Sequence, residues 1–100
     1  MVDREVVTTK RGILFNPVSN STPVGVVLAN NTLTLKYEKG EDIIPCMLCT
    51  VKESRELEKR FVFSVVTPQR THLLQADSSN EMHKWMNAIQ SSIMNGLNDP

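Results

Sequence analysis

The sequence predicts a mainly β domain of the α+β class: seven short antiparallel strands, bent into a sandwich or partly open barrel and capped by one C-terminal helix. Three observations lead there. From about residue 8 to 77, short runs of alternating apolar and polar residues are separated by turns rich in Asn, Gly and Pro. After them, Met82, Trp85, Met86, Ile89, Ile93 and Leu97 recur every three or four positions, the period of a helix with one apolar face. Finally, 100 residues with 40% hydrophobic and 22% charged side chains have the size and balance of one globular domain, expected to span 1–100.

Gly12-Ile-Leu-Phe15 is the first strand, ending at Asn16-Pro17, and Ser19 to Pro23 continue as a loop. Val24, Val26 and Leu28 make the second strand, alternating with smaller residues. Leu33, Leu35 and Tyr37 alternate with Thr32, Thr34 and Lys36 in the third, the period of a half-buried strand. Asn30-Asn31 between them predicts a tight hairpin, because Asn tolerates a positive φ. Lys39 to Asp42 read as a turn. Ile43 to Val51 follow as a strand in which Pro45, lacking an N–H, must sit at an edge, a bulge or a strand start. Glu53 to Lys59 form a charged loop. Arg60 to Val66, rich in β-branched and aromatic residues, is a strong strand, and His72 to Ala76 return after a turn at Pro68-Gln69-Arg70.

The helix is expected from about Ser79 to Asn95. Ser78 and Glu81 have the spacing of a capping box, Gly96 has the place of a C-cap, and Asn98-Asp99-Pro100 resemble a linker. The helix must bury its stripe against the open end of the β structure. The predicted core is Phe61, Phe63, Val65, Leu74, Ala76, Trp85, Ile89 and Ile93, with Leu14, Val27 or its neighbours, and Leu35.

Eleven basic and eleven acidic residues cancel, which argues against a general polyanion binder, and no nucleic-acid partner is expected. No apolar run approaches the ~20 residues of a spanning helix, and the N-terminus lacks the apolar segment of a secretory signal. Two cysteines are too few for a disulfide scaffold, so a reducing, cytoplasmic setting is expected. Cys46-Met-Leu-Cys49 has the C-x-x-C form but no second ligand pair for zinc, and it falls in a predicted strand, where residues three apart face opposite sides. Strand cysteines with one or both buried are the expectation. His72 and His83 have no partner at a catalytic spacing and are expected on the surface of the strand and the helix. Asn20-Ser-Thr22 and Asn30-Asn-Thr32 match the glycosylation pattern but read as turns. The mixed-sign run Lys52 to Arg60 reads as a solvated loop or short helical turn, with a protein-docking edge as its functional alternative. No nucleophile–base set, phosphate-cradling Gly loop or metal cluster can be assembled, so neither an enzyme nor a cofactor is expected.

Gly12-x-Leu14, Val26-Val-Leu28, Leu33-x-Leu35-x-Tyr37, Phe61-x-Phe63, Leu74-x-Ala76 and Trp85 before Ala88-Ile89 occur in an order that resembles the pleckstrin homology (PH) domain. A single Trp in the C-terminal helix suits that fold, because one large ring can plug the end of a small barrel. Leu48 to Lys52, Glu58 to Val66, Leu74 to Ser78 and Trp85 to Ile93 are similar to the PH module of BAR-PH-type Arf GTPase-activating proteins. The resemblance implies a non-catalytic module of a larger Arf-regulating or trafficking protein, cytoplasmic and peripheral to membranes, monomeric when isolated. Its implied partners are anionic lipid head groups or a protein such as a small GTPase or trafficking factor. GTPase-activating chemistry would lie in a separate zinc-bearing domain.

The first hairpin loop, Asn16 to Pro23, holds no Lys or Arg, where phosphoinositide-gripping relatives carry several. Head-group phosphates need convergent charge-assisted donors. The candidate lipid residues are therefore Lys10 and Arg11 ahead of the first strand, Lys36 in the third and Lys39 in the next turn. Weak electrostatic attraction to an anionic leaflet is the expected function. A protein-interaction or intramolecular scaffold role without specific lipid binding is the alternative.

Overall fold

The computed structural model describes residues 9–98. Seven strands are present: β1 Lys10–Asn16, β2 Thr22–Ala29, β3 Thr32–Tyr37, β4 Gly40–Pro45, β5 Thr50–Glu53, β6 Val62–Val66 and β7 Thr71–Gln75. One helix, α1, follows over Ser79–Asn98. All pairings are antiparallel, in the order β4-β3-β2-β1-β7-β6-β5. β1 pairs with β2 along its whole length but meets β7 only at Phe15–Gln75, so the sheet bends sharply there and leaves β4 and β5 as open edges. The bent, partly open sandwich capped by one helix is the predicted architecture.

The alternation read from the sequence selects the inner face. Leu14, Val24, Val26, Leu28, Leu33, Leu35 and Ile44 are buried on one side of β1–β4, and Phe63, Val65 and Leu74 on β6 and β7. Met82, Trp85, Ile89 and Ile93 of α1 cover them. Val27 points away from the core while its neighbours Val26 and Leu28 fill it. Phe61 is only half-buried, packing against the core's edge rather than inside it. It precedes β6 at φ 63°, a strained conformation for a bulky side chain.

Asn30 and Asn31 adopt φ 53° and 56°, the tight turn that joins right-twisted strands. The bounds around β4 differ from expectation. Gly40, Glu41 and Asp42 belong to β4, because a two-residue turn at Glu38-Lys39 suffices for reversal. The stretch expected as one strand from Ile43 to Val51 is split: Pro45 ends β4, and Cys46–Leu48 form a 3-10 turn before β5. C-x-x-C is therefore not in a strand, and both sulfurs point inward.

The Ser78 half of the expected capping box forms, its Oγ accepting from the Glu81 N–H at 3.1 Å, while the Glu81 carboxylate faces Lys84 at 3.7 Å. Its end is not at Gly96. A Cβ there would meet the Met47 Cβ at 3.4 Å, so this glycine allows close approach of the 3-10 turn rather than a stop. The Leu97 side chain and the last two residues of the expected linker lie outside the described residues.

Candidate functional site

Strand register places the four cations singled out by the sequence. Lys10 and Arg11 lie within β1, not before it, and so face opposite ways. Lys10 shares the inner face with Gly12 and Leu14, and its ammonium stands 4.9 Å from the centroid of the Trp85 ring. Arg11 is on the outer face, in a row with Val27, Thr34 and Ile43. Lys36 is also on the outer face, two residues further along, in a row with Ile13, Gly25 and Glu41. Strand spacing puts Arg11 and Lys36 roughly 12 Å apart. Lys39 stands in the β3–β4 turn. Arg11 and Lys36 thus share a surface with the exposed Ile13 and Ile43, while Lys10 belongs to the capped end. The four do not converge on one point.

A second pair of cations comes from the charged loop before β6. Lys59 and Arg60 line a cleft of about 640 Å³ together with Ser21, Phe61 and Gln75, and with the acidic Glu58 and Asp77. Lys59 Nζ donates to the Pro17 carbonyl at 2.6 Å, tying this loop to the β1–β2 loop across 42 residues of sequence. The Arg60 guanidinium lies 5.0 Å from the Phe61 ring, and its carbonyl accepts from Gln75 Nε2 at 3.0 Å. The strained Phe61 backbone is held by the Ala76 N–H donating to the Phe61 carbonyl at 2.9 Å. The alternating signs of the run Lys52 to Arg60 conceal this clustering in the sequence. The one local signal was Arg60-Phe61 at the entrance to a strand.

His72 is a correction. Expected at the surface, it is buried at the mouth of the sandwich, because β7 alternates and position 72 shares the inner face with Leu74. Its Nδ1 is 3.3 Å from the Tyr37 hydroxyl and 3.7 Å from Asp42, which also faces Arg70 at 3.8 Å. Burial, then the Arg70 charge, lowers the His72 pKa against the opposing pull of Asp42. Burial raises that of Tyr37, with Asp42 adding to it. This cluster stitches β3 and β4 to β7. His83 is exposed on α1 as expected. No group of three or more metal-ligating side chains occurs among the described residues. No helix among them is long and apolar enough to cross a membrane.

A seven-stranded, sharply bent antiparallel sheet, one end stoppered by a helix-borne indole and the other rimmed by loops, defines the architectural class to which the chain belongs. Residues 6–94 match the family model described as PH domain, and the chain belongs to that family. Part of the chain is 48% identical, over 46 residues, to human "Arf-GAP with coiled-coil, ANK repeat and PH domain-containing protein 2", which covers 46% of this chain and 6% of that protein. The chain thus spans a small fraction of the length of the curated relatives it matches. Among solved structures, the N-terminal PH domain of human ARAP2 superposes with a TM-score of 0.71 at 18% identity, over 98% of this chain and 90% of that one. The C-terminal PH domain of pleckstrin, solved with D-myo-Ins(1,2,3,4,5)P5, superposes with a TM-score of 0.64 at 23% identity, over 87% of this chain and 98% of that one.

Proposed function

We propose that the chain is a membrane-recruitment module that binds anionic phospholipid head groups weakly, through dispersed charge, within a larger cytoplasmic Arf-regulating or trafficking protein. The observation that carries this reading is that Arg11, Lys36, Lys39, Lys59 and Arg60 are all exposed and that none has a carboxylate partner among the described residues. A basic side chain near an anionic leaflet contributes about 1 kcal/mol, screened over a Debye length of about 8 Å at physiological salt. A few such charges, offset by Glu58, Asp77 and Glu41 nearby, support weak and salt-sensitive attraction rather than capture of one head group. Lys10, over the indole, adds to the long-range field. Val18, 68% exposed in the β1–β2 loop, offers an apolar contact to a bilayer. The inositol phosphate held by the pleckstrin relative is consistent with this chemistry.

Co-sedimentation with vesicles of phosphatidylserine, with and without a phosphoinositide, against phosphatidylcholine alone tests the reading. Binding to the anionic vesicles that weakens as salt rises is expected. Joint replacement of Lys59 and Arg60 by Ala should lower it about tenfold, from ~1 kcal/mol per cation partly lost to screening. Absence of binding at low salt overturns the reading.

Ile13 and Ile43, 59% and 63% exposed beside Arg11 and Lys36, favour a second reading, a protein-docking module. A pull-down of a small GTPase or trafficking factor that is lost in Ile13→Asp, or in Val18→Asp, without any vesicle binding by the parent chain would support it instead.

A further inference from the structure

Cys46 and Cys49 take no part in the charged surface, yet the fold brings them together. The Cys49 N–H donates to the Cys46 carbonyl at 3.1 Å and closes the 3-10 turn. A four-residue turn closed by that bond holds its two end Cα atoms within about 7 Å. Disulfides span roughly 4.4–6.8 Å. The Cys49 thiol donates to the Cys46 carbonyl at 3.3 Å. The Cys49 sulfur beside it, then burial, push the Cys46 thiol up, and Cys46 in turn lowers the pKa of Cys49. Ser92, a fully buried hydroxyl on α1, faces the Cys46 sulfur without a well-formed hydrogen bond. Cys49 is the outer thiol, 4% exposed against 0% for Cys46.

We propose that Cys46 and Cys49 are a dithiol that closes to an intrachain disulfide by exchange with a small-molecule disulfide such as oxidised glutathione. Local opening of the turn, whose Met47 and Leu48 are exposed, admits the oxidant. The Cys49 thiolate attacks one sulfur of the oxidant. The oxidant's S–S bond breaks, and one glutathione leaves as thiolate, taking up the proton Cys49 released. Cys46 then loses its proton and attacks the Cys49 sulfur of the mixed disulfide. The second glutathione leaves with that proton. Two protein thiols lose two electrons and two protons, and one oxidised glutathione becomes two reduced ones. Closure stiffens the turn joining β4 to β5 where Met47 packs against Gly96 of α1.

The test treats the folded full chain with oxidised glutathione and reads intact mass and free thiols. The wild type should lose two hydrogens, keep no alkylatable thiol and regain both on addition of dithiothreitol. Cys46→Ser should accumulate one glutathione adduct on Cys49, the trapped intermediate, while Cys49→Ser stays unmodified over the same time. Two persisting free thiols in the wild type, a stable glutathione adduct on it, or oxidation only in denaturant would each overturn the proposal. The wild-type measurement decides even if a single variant fails to fold.

Discussion

Trp85 packs so closely on Gly12 that a Cβ at that position would stand 3.1 Å from the indole Cζ2. Gly12 lies on the inner face of β1 between Lys10 and Leu14, and the ring occupies the space its missing side chain leaves. The indole is 2% exposed. The helix cap and the first strand are therefore fitted to each other by one absent methyl group.

Replacing Gly12 by Ala should destabilise the domain by about 1–3 kcal/mol, the range for forcing a carbon into a packed core, because the indole must shift to admit it. The shift in urea midpoint at unchanged slope measures this. Trp85→Ala should cost about 3–5 kcal/mol by emptying the same site.

Lys10→Met keeps the apolar stem over the ring and removes only the charge. It should cost about 0.5–1 kcal/mol of stability, the size of an accessible cation–π contact. Thermal unfolding checks this. With one charge lost instead of three, vesicle binding should fall less in Lys10→Met than in the joint replacement of Arg11, Lys36 and Lys39 by Ala.

His72 makes stability depend on pH with a definite sign. Its folded-state pKa is lowered by burial, so between that value and the unfolded value near 6.5 the unfolded chain binds more protons. Its contribution is fully present above pH about 6.5 and is lost as pH falls through the lower folded value. Tyr37, Asp42 and Arg70 are the titratable groups around it. Urea unfolding from pH 5 to 8 should show the decline, and His72→Gln should flatten it.

The β2–β3 turn demands positive φ at both central residues. Asn31→Ala should cost about 1 kcal/mol, since a Cβ without a polar end is disfavoured in the left-handed region, whereas Asn31→Gly should be neutral or slightly stabilising. Melting temperatures of the two variants compare them directly.

How much was legible differs from residue to residue. Asn30-Asn31, the Ser78 cap, the inner-face alternation of Leu33 and Leu35 and the Trp85 stripe are local signals, set by φ preference, hydrogen-bond spacing and hydrophobic period, and each stands where it was expected. The sequence places Phe61 in the core, but with its positive φ the ring packs at the core's edge. The lack of a catalytic partner for His72 in the sequence points to the surface, although the period of β7 turns it inward. Lys59 and Arg60 looked like part of a solvated run because their neighbours alternate in sign. Only the reach of Lys59 to Pro17, across the bend between the two halves of the sheet, makes them part of a cleft.

By itself, the sequence determined the strand-and-helix order, the capping indole and the absence of basic residues from the first hairpin loop, all properties of neighbours along the chain. Only the tertiary structure decided which cations share a surface and that the two thiols meet. The faces of Lys10 and Arg11 depend on where β1 begins, and a strand turns successive side chains to opposite sides. The thiols meet because Pro45 ends β4 and the next residues coil into a 3-10 turn instead of remaining extended.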